Sequence, residues 1–247
     1  MSRVAFKDCV GASELAARLG FIPGPDQLPV FDRVRRGILC CHRQWGKSTG
    51  IAIKALHEAL CRPDSLTLIA SPSLRQSGET VRKAAAFARR LGMAVRGDGQ
   101  NAVSLMLPNG ARIVGLPEKQ DTTVGFTNVT LLVFDEAARV PDPMYYALRP
   151  VLLASDGALW LISTPQGKRG FFHREWVHGG SSWMRVHVPV TGNPRVRPEW
   201  IEEERAALPD SSFRQDYLCE FLQPDNAIFR YDDIQALFRD DIEPLDD

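Results

Sequence analysis

Long hydrophobic runs are missing from this sequence. No apolar run in its 247 residues approaches the roughly 18 residues that a membrane-spanning helix needs. The first 20 residues lack the apolar core of a signal peptide and predict a short amphipathic helix instead. We therefore expect no membrane partner.

A net charge is also absent, because 30 basic residues balance 30 acidic ones. This balance gives no sign of a nucleic-acid partner, and it excludes none, since binding needs only a local basic patch. Cysteine is scarce: the five cysteines are an odd number without metal-binding spacing, which favours a reducing compartment. We expect all five to pack as small apolar residues.

The apolar residues that are present form short β-branched runs that alternate with helical patterns. This alternation predicts an α/β fold with a central, mostly parallel β-sheet flanked by helices. A Pro-Asn-Gly turn within 95–117 predicts an inserted β-hairpin, and 198–208 and 211–222 predict two short helices of a lid or linker. The predicted strands are 37–41, 66–70, 111–116, 129–134 and 158–163, and the predicted longer helices are 46–60 and 73–92.

One strand-to-helix connection, CCHRQWGKST (40–49), ends like a phosphate-binding loop, although Cys41 replaces the usual first glycine. In such a loop, backbone N–H groups and the helix N-terminus face the phosphates. Gly46 lets the backbone approach closely, and Lys47 neutralises the phosphates. The Ser48 hydroxyl helps to hold Mg²⁺. The context therefore predicts a nucleotide site.

A second motif, LLVFDEAARV (131–140), is an apolar strand that ends in two carboxylates. Asp135 at the strand end can hold Mg²⁺ through water, and Glu136 can orient or deprotonate the attacking water. A third motif, within LWLISTPQGKRGFF (159–172), places Ser163, Thr164 and Pro165 at the end of another buried strand. Hydroxyl groups there can sense the terminal phosphate, because parallel strands end at the ligand crevice.

These motifs, in this order, resemble the ATPase domains of the large terminase subunits of tailed double-stranded DNA bacteriophages and prophages. Terminase phosphate loops deviate in the same way as RQWGKST (43–49) does. Further matches are SPSLRQSGE (71–79), DEAARVPDPMYYALRP (135–150), STPQGKRGFFHREW (163–176) and FRQDYLCEF (213–221). The matches span roughly residues 20 to 230 and imply a P-loop NTPase fold of the ASCE type.

The resemblance also implies roles for individual residues. Glu136 would be the catalytic glutamate, with Lys47 and Arg43 on the phosphates, and Gln27 would read the adenine. Ser163, Thr164 and Pro165 would couple hydrolysis to movement. The expected nucleotide-binding residues are Gln27, Cys41, His42, Arg43, Gln44, Trp45, Gly46, Lys47, Ser48 and Thr49, with Ser48 and Asp135 on Mg²⁺.

The function implied is that of a motor in the host cell cytoplasm that hydrolyses ATP and moves double-stranded DNA, regardless of its sequence, into a procapsid. Its implied partners are further copies in a ring, a portal and a small terminase subunit. Two alternatives stay open: a helicase-like or DNA-remodelling ATPase, and a nucleotide-binding assembly module with little hydrolysis. DNA-stimulated turnover would favour the motor, and binding without turnover the module.

Two features depart from the family. Val124 stands where many relatives carry an arginine that is thought to reach a neighbouring subunit's ATP, so hydrolysis is slow or Arg112, Arg139 or Arg149 substitutes.

The chain also stops where large terminases continue into a nuclease domain. We expect an ATPase core over 1–195, a helical lid or linker with an acidic tail over 196–247, and no nuclease activity. The late acidic residues that superficially resemble metal ligands are Asp232, Asp233, Asp240 and Asp241.

Contact with DNA is expected to use phosphate groups rather than bases. One predicted helix and the turn after the third motif supply basic side chains for this purpose, and each of them can equally belong to an ordinary solvated surface. The candidates are Arg75, Arg82, Lys83, Arg89 and Arg90 on the helix, and Lys168 and Arg169 in the turn.

Overall fold

The computed structural model describes residues 10–25, 27–31, 34–116 and 125–223. The strands are β1 Arg36–Cys41, β2 Leu66–Ala70, β3 Ser104–Met106, β4 Arg112–Leu116, β5 Val129–Asp135, β6 Ala158–Ser163 and β7 Met184–Val188. The α-helices are α1 Ala12–Arg18, α2 Lys47–Cys61, α3 Leu74–Arg90, α4 Asp142–Leu148, α5 Gly170–His178, α6 Pro198–Ala207 and α7 Asp210–Asp216.

The seven strands form one sheet in the order β3-β4-β2-β5-β6-β1-β7. Every neighbouring pair is parallel except β3 and β4, which form the antiparallel hairpin at one edge. The central strands are apolar along their length because helices cover both faces of the sheet. The predicted α/β class and the inserted hairpin are therefore confirmed.

Each face of the sheet carries its own hydrophobic core. On one face, α1, α2 and α3 pack over residues such as Leu39 and Trp160. On the other, α4 and α5 pack over Phe134, and the rings of Tyr145 and Phe171 stack with their centroids 4.2 Å apart. Complete burial of one such side chain contributes about 1.5–3 kcal/mol, so these layers hold the strand ends rigidly in place.

One predicted helix needs correction, and three elements were not predicted. The helix predicted over 211–222 ends at Asp216, and Cys219 has a left-handed φ of 61°, which an α-helix does not tolerate. Strand β7 was not predicted, because its sequence MRVHV mixes polar and apolar residues as an edge strand does. Helices α4 and α5 were not predicted either.

The C-terminal part of the described chain forms a small cluster of its own. Ile201 of α6 and Phe213 of α7 pack together with Val190. The division of the chain at residue 195 stays a prediction. None of the helices among the described residues is long and apolar enough to cross a membrane.

Candidate active site

Three adjacent strands, β5, β6 and β1, bring the three sequence motifs to one edge of the sheet. Glu136 follows β5, Thr164 follows β6, and the loop 42–46 follows β1 and leads into α2. Because these strands are parallel, their carboxyl ends meet at one crevice, as expected for this class of sheet.

The backbone at Cys41 shows why the loop can form without the usual first glycine. Cys41 is the last residue of β1 and is completely buried, and the next N–H, of His42, donates to the Val188 carbonyl at 3.0 Å. The chain is therefore still in the strand ladder there, where a side chain is tolerated. Gly46 is different: its φ of 99° is a left-handed value that favours glycine, and it stands directly before the first turn of α2.

Lys47 is the centre of the site. Its Nζ lies 3.2 Å from Glu136 Oε1 and donates to Thr164 Oγ1 at 3.0 Å. Burial works to lower the pKa of Lys47, but its neighbours, including Glu136 and Asp135, outweigh burial and raise the pKa above its ordinary value. The ammonium group is thus fully charged, and it joins the phosphate loop to both other motifs.

Glu136 has a backbone conformation that few glutamates adopt. Its φ and ψ of 55° and 44° lie in the left-handed region, which costs on the order of 1–3 kcal/mol and is often found at functional sites. The second carboxylate oxygen, Oε2, accepts from Arg139 NH1 at 2.9 Å. The carboxylate is therefore held between two cations, Lys47 and Arg139.

Asp135 lies behind Glu136 and is only 5% exposed. Burial, and then the charge of Glu136, raise the pKa of Asp135 to about 6. Its Oδ2 accepts from the Thr80 hydroxyl at 3.4 Å. On the neighbouring strand, Ser163 Oγ accepts from the Ala138 N–H at 3.1 Å, which ties the end of β6 to the turn after Glu136.

Asp135→Asn is expected to stabilise the metal-free protein at alkaline pH. The folded pKa of about 6 exceeds the ordinary value of about 3.9, so ionising Asp135 costs stability as the pH rises from about 4 through 6. Asparagine removes this cost, and we expect a gain on the order of 2–3 kcal/mol at pH 8 and none at pH 4. Thermal unfolding in chelator at several pH values measures it.

The exposed Asp156→Asn serves as the control, because a surface carboxylate paired with Arg35 contributes little to stability. A gain for Asp135→Asn that is the same at pH 4 and pH 8 would show that the ionisation of Asp135 is not its cause.

Arg43 contacts the C-terminal helices rather than the centre of the loop. Its side-chain Nε lies 2.9 Å from Asp216 Oδ2, and its backbone N–H donates to the backbone carbonyl of Asp216 at 3.2 Å. The guanidinium is half exposed and lines the same cavity as Lys47. The predicted contact of Arg43 with phosphate stays a prediction, and it would require the guanidinium to turn away from Asp216.

Several predicted nucleotide-binding residues are buried. The side chains of Cys41, His42 and Trp45 lie outside the cavity wall, so only their backbone can face a ligand. Gln27 is also buried: its Nε2 donates to the Trp45 carbonyl at 2.8 Å and its Oε1 accepts from the Gly24 N–H at 3.0 Å. Gln27 thus supports the loop from below, and its reading of adenine stays a prediction.

The crevice is a cavity of about 670 Å³. Four residues in its wall, Gln76, Lys83, Trp200 and Tyr217, were not assigned to a nucleotide site from the sequence, although Gln76 and Tyr217 lie in the stretches 71–79 and 213–221 that carry the family resemblance. Lys83 was expected to contact DNA instead. The rings of Trp200, in α6, and Tyr217, directly after α7, make an edge-to-face contact with each other. The lining residues are Arg43, Gln44, Gly46, Lys47, Ser48, Gln76, Lys83, Glu136, Arg139, Thr164, Trp200 and Tyr217.

The three candidate substitutes for the missing arginine have different places. Arg139 lies in the cavity wall, as described above. Arg149 contacts Tyr145 and Glu175 on one face of the sheet, and Arg112 lies 3.8 Å from Asp98 beside the hairpin. Val124 and the late acidic residues Asp232, Asp233, Asp240 and Asp241 lie outside the described residues.

The five basic side chains of α3 are exposed: Arg75, Arg82, Lys83, Arg89 and Arg90. Arg82 is paired with Glu79 at 2.6 Å, the one acidic residue of this helix. Arg169, after the third motif, is exposed, and Lys168 beside it is half-buried.

Comparison with known proteins identifies the family of this chain. A family model described as "Terminase large subunit, T4likevirus-type, N-terminal" matches residues 41–236. The chain is 26% identical over 249 residues to the large terminase subunit of Thermus virus P23-45, and 25% identical over 230 residues to that of Escherichia phage T5. These alignments cover 85% and 88% of this chain, but 51% and 52% of the relatives.

Solved structures show the same fold. The large terminase ATPase domain of Thermus phage P74-26 superimposes with a TM-score of 0.73 at 24% identity, covering 86% of this chain and 99% of that domain. The large terminase of bacteriophage HK97 gives a TM-score of 0.69 at 17% identity, covering 85% of this chain and 55% of that one.

The fold and the three strand-end motifs define an ATPase domain of the P-loop class. More narrowly, the chain belongs to the N-terminal family of terminase large subunits. It spans about half the length of the curated relatives that it matches.

Proposed function

We propose that this chain binds and hydrolyses ATP as the motor domain of a terminase that moves double-stranded DNA. The contact between Lys47 Nζ and Glu136 Oε1 carries the proposal, because it joins a phosphate-binding lysine to a general base in one cavity. The large terminase of a thermophilic bacteriophage, at 13% identity and TM-scores of 0.66 and 0.67, was solved with ADP and with ATP-gamma-S, which supports a nucleotide in this fold.

The residues of the cavity divide the chemistry between them. The N–H groups of the loop and of the first turn of α2 face the phosphates, with Lys47 beside them. When Lys47 turns to the phosphates, Glu136 Oε1 loses its partner and becomes able to accept a proton. Water then attacks the terminal phosphorus, its proton passes to Glu136, and the bond to ADP breaks.

Thr164 and Ser163 link this event to the rest of the domain. Thr164 shares Lys47 with Glu136, and Ser163 Oγ holds the N–H of Ala138 in the turn that carries Arg139. A shift of Lys47 therefore reaches the end of β6. We therefore assign to these two hydroxyl groups the coupling of ATP hydrolysis to movement. Pro165 follows them and ends the extended segment after β6.

The oxygen donors present fit magnesium. Ser48 lies in the cavity wall, and Asp135 is buried directly behind Glu136, where a nearby dication would offset the cost of its negative charge. Mg²⁺ held by Ser48 directly, and by the buried Asp135 through a water, would neutralise charge on the phosphates.

The proposal extends to partners. The exposed basic side chains of α3 fit the DNA backbone, with Arg75, Arg82, Arg89 and Arg90 as contacts that are independent of sequence. Lys83, in the cavity wall, is better placed to face a phosphate of the nucleotide. Copies of the chain would assemble as a ring, with a portal and a small subunit, during packaging in the host cytoplasm.

Lys47→Ala is expected to lower the rate of ATP hydrolysis by about 10²–10³-fold or more, because one preorganised charge on the phosphates is worth that much. Phosphate release at saturating ATP measures it. Arg62→Ala, just beyond the other end of α2, is the control and should keep the wild-type rate. Equal rates for Lys47→Ala and wild type would mean that the observed hydrolysis does not arise in this cavity.

A further inference from the structure

A second cluster of reactive side chains lies next to the phosphate loop but is not part of the cavity wall. It consists of Cys40, His187 and Cys219, whose two Sγ atoms and one ring nitrogen all lie within 4.8 Å of one another. We propose that these three residues bind a zinc ion, which fastens the segment after α7 to the sheet. This proposal does not depend on the proposed ATPase function.

The register of the sheet brings two of the ligands together. Cys40 of β1 is the direct partner of His187 in the parallel strand β7, so their side chains leave the same face of the sheet. Cys41, one residue on, pairs with Val188, and its side chain lies on the opposite face. Adjacent cysteines therefore have different surroundings, and only Cys40 belongs to the cluster.

The third ligand comes from a different part of the chain. Cys219 lies three residues beyond the end of α7 and has a left-handed backbone conformation, and its side chain lies beside the end of β7. Cys219 Sγ donates to the Val188 carbonyl at 3.3 Å, and Cys40 Sγ donates to the Cys219 carbonyl at 3.5 Å. These contacts hold both sulfur atoms towards the same point from two sides.

The chemistry of the three donors favours zinc over magnesium or calcium. Two thiolates and one imidazole form a soft to borderline set, which suits Zn²⁺, whereas the other two cations prefer oxygen. In tetrahedral zinc sites, sulfur and nitrogen ligands lie roughly 3.5–3.8 Å apart, so the three atoms need to converge by at most about 1 Å. His187 is exposed, which lets its ring adjust and gives water access to the fourth position.

Burial imposes a cost that the ion must offset. It raises the pKa of the Cys40 thiol well above its ordinary value, and Cys219 adds to this effect. The Cys40 thiol is therefore protonated in the metal-free protein, and zinc must displace this proton when it binds. The bound ion would join β1, β7 and residues 217–219 at the side of the domain where Asp216 contacts Arg43.

Zinc titration of the whole chain tests the proposal, using the reduced protein after removal of metals with a chelator. We expect one Zn²⁺ per chain and a rise in Tm on binding, because the ion favours the folded state. His187→Ala and Cys219→Ala should each weaken binding at least about tenfold. The exposed position of His187 makes its variant safe for folding.

Two matched variants serve as controls. Cys41→Ala removes the neighbouring buried thiol, and His178→Ala removes a histidine at the end of α5, so both should keep wild-type zinc affinity. Co²⁺ adds a direct readout, because each thiolate ligand contributes to a charge-transfer absorption, which Cys219→Ala should weaken by removing one of the two thiolates. Absence of zinc uptake by the wild type, or uptake that His187→Ala and Cys219→Ala leave unchanged, would overturn the proposal.

Discussion

Glu136→Gln is expected to lower kcat for ATP hydrolysis by about 10²–10⁴-fold, which is the usual contribution of a general base. Glutamine keeps the shape of the side chain but cannot accept the proton of the attacking water. Binding of ATP should stay the same or become tighter, since the variant frees Lys47 from its ion pair with Glu136. Single-turnover hydrolysis and equilibrium nucleotide binding measure the two effects separately.

The matched control is Glu58→Gln on α2, a partly exposed glutamate that pairs with Arg62 outside the cavity. It should keep wild-type kcat. Loss of nucleotide binding in Glu136→Gln, in proportion to the loss of rate, would contradict the assigned role, because Glu136 would then act on binding rather than on the chemical step.

Arg139→Ala is expected to lower kcat for ATP hydrolysis by a factor comparable to that of Glu136→Gln. An arginine that stabilises the charge of the transition state is worth about 10³–10⁵-fold in kcat. Of the three arginines considered as substitutes for the one missing at Val124, Arg139 is the one in the cavity wall. It lies in the same chain as the nucleotide site, so the loss should be independent of protein concentration. The measurement is kcat at saturating ATP.

Arg112→Ala is the control for Arg139→Ala, because its guanidinium lies beside Asp98 and the hairpin. Arg149→Ala should lower Tm, since Arg149 contacts Glu175 and Tyr145, and should leave kcat within a few-fold of wild type. If Arg139→Ala keeps the wild-type kcat, or if Arg149→Ala is the slower enzyme, the charge is supplied by another residue.

Much of the fold could be predicted because buried parallel strands are nearly continuous apolar runs. LTLIA and ALWLIS became β2 and β6 at their predicted bounds, and each other predicted strand agrees within a residue at either end. Strand β7 gave no such signal, because Arg185 and His187 interrupt its apolar residues. The helix predicted over 211–222 was too long because the left-handed turn at Cys219 involves no glycine.

The site residues that could be predicted are those in a recognisable motif directly after a strand. Lys47, Glu136 and Thr164 meet because parallel topology brings the ends of β1, β5 and β6 together. Long-range pairings had no local signal. Asp216 meets Arg43, and Cys219 meets Cys40 and His187, across large separations that no sequence spacing reveals. From the sequence, the cysteines are interpreted as packing residues because their spacing does not match a metal site. That spacing could not show that Cys219 lies next to Cys40 and His187 in the fold.

Steady-state ATP hydrolysis over a range of protein concentrations, with and without double-stranded DNA, tests the central claim most directly, with Lys47→Ala as the blank. The motor account predicts hydrolysis above the blank that double-stranded DNA stimulates. A rise steeper than linear with protein concentration would mean that neighbouring copies complete each other's sites, against the assignment of Arg139. Activity equal to the blank under every condition would contradict the account and leave a nucleotide-binding assembly module.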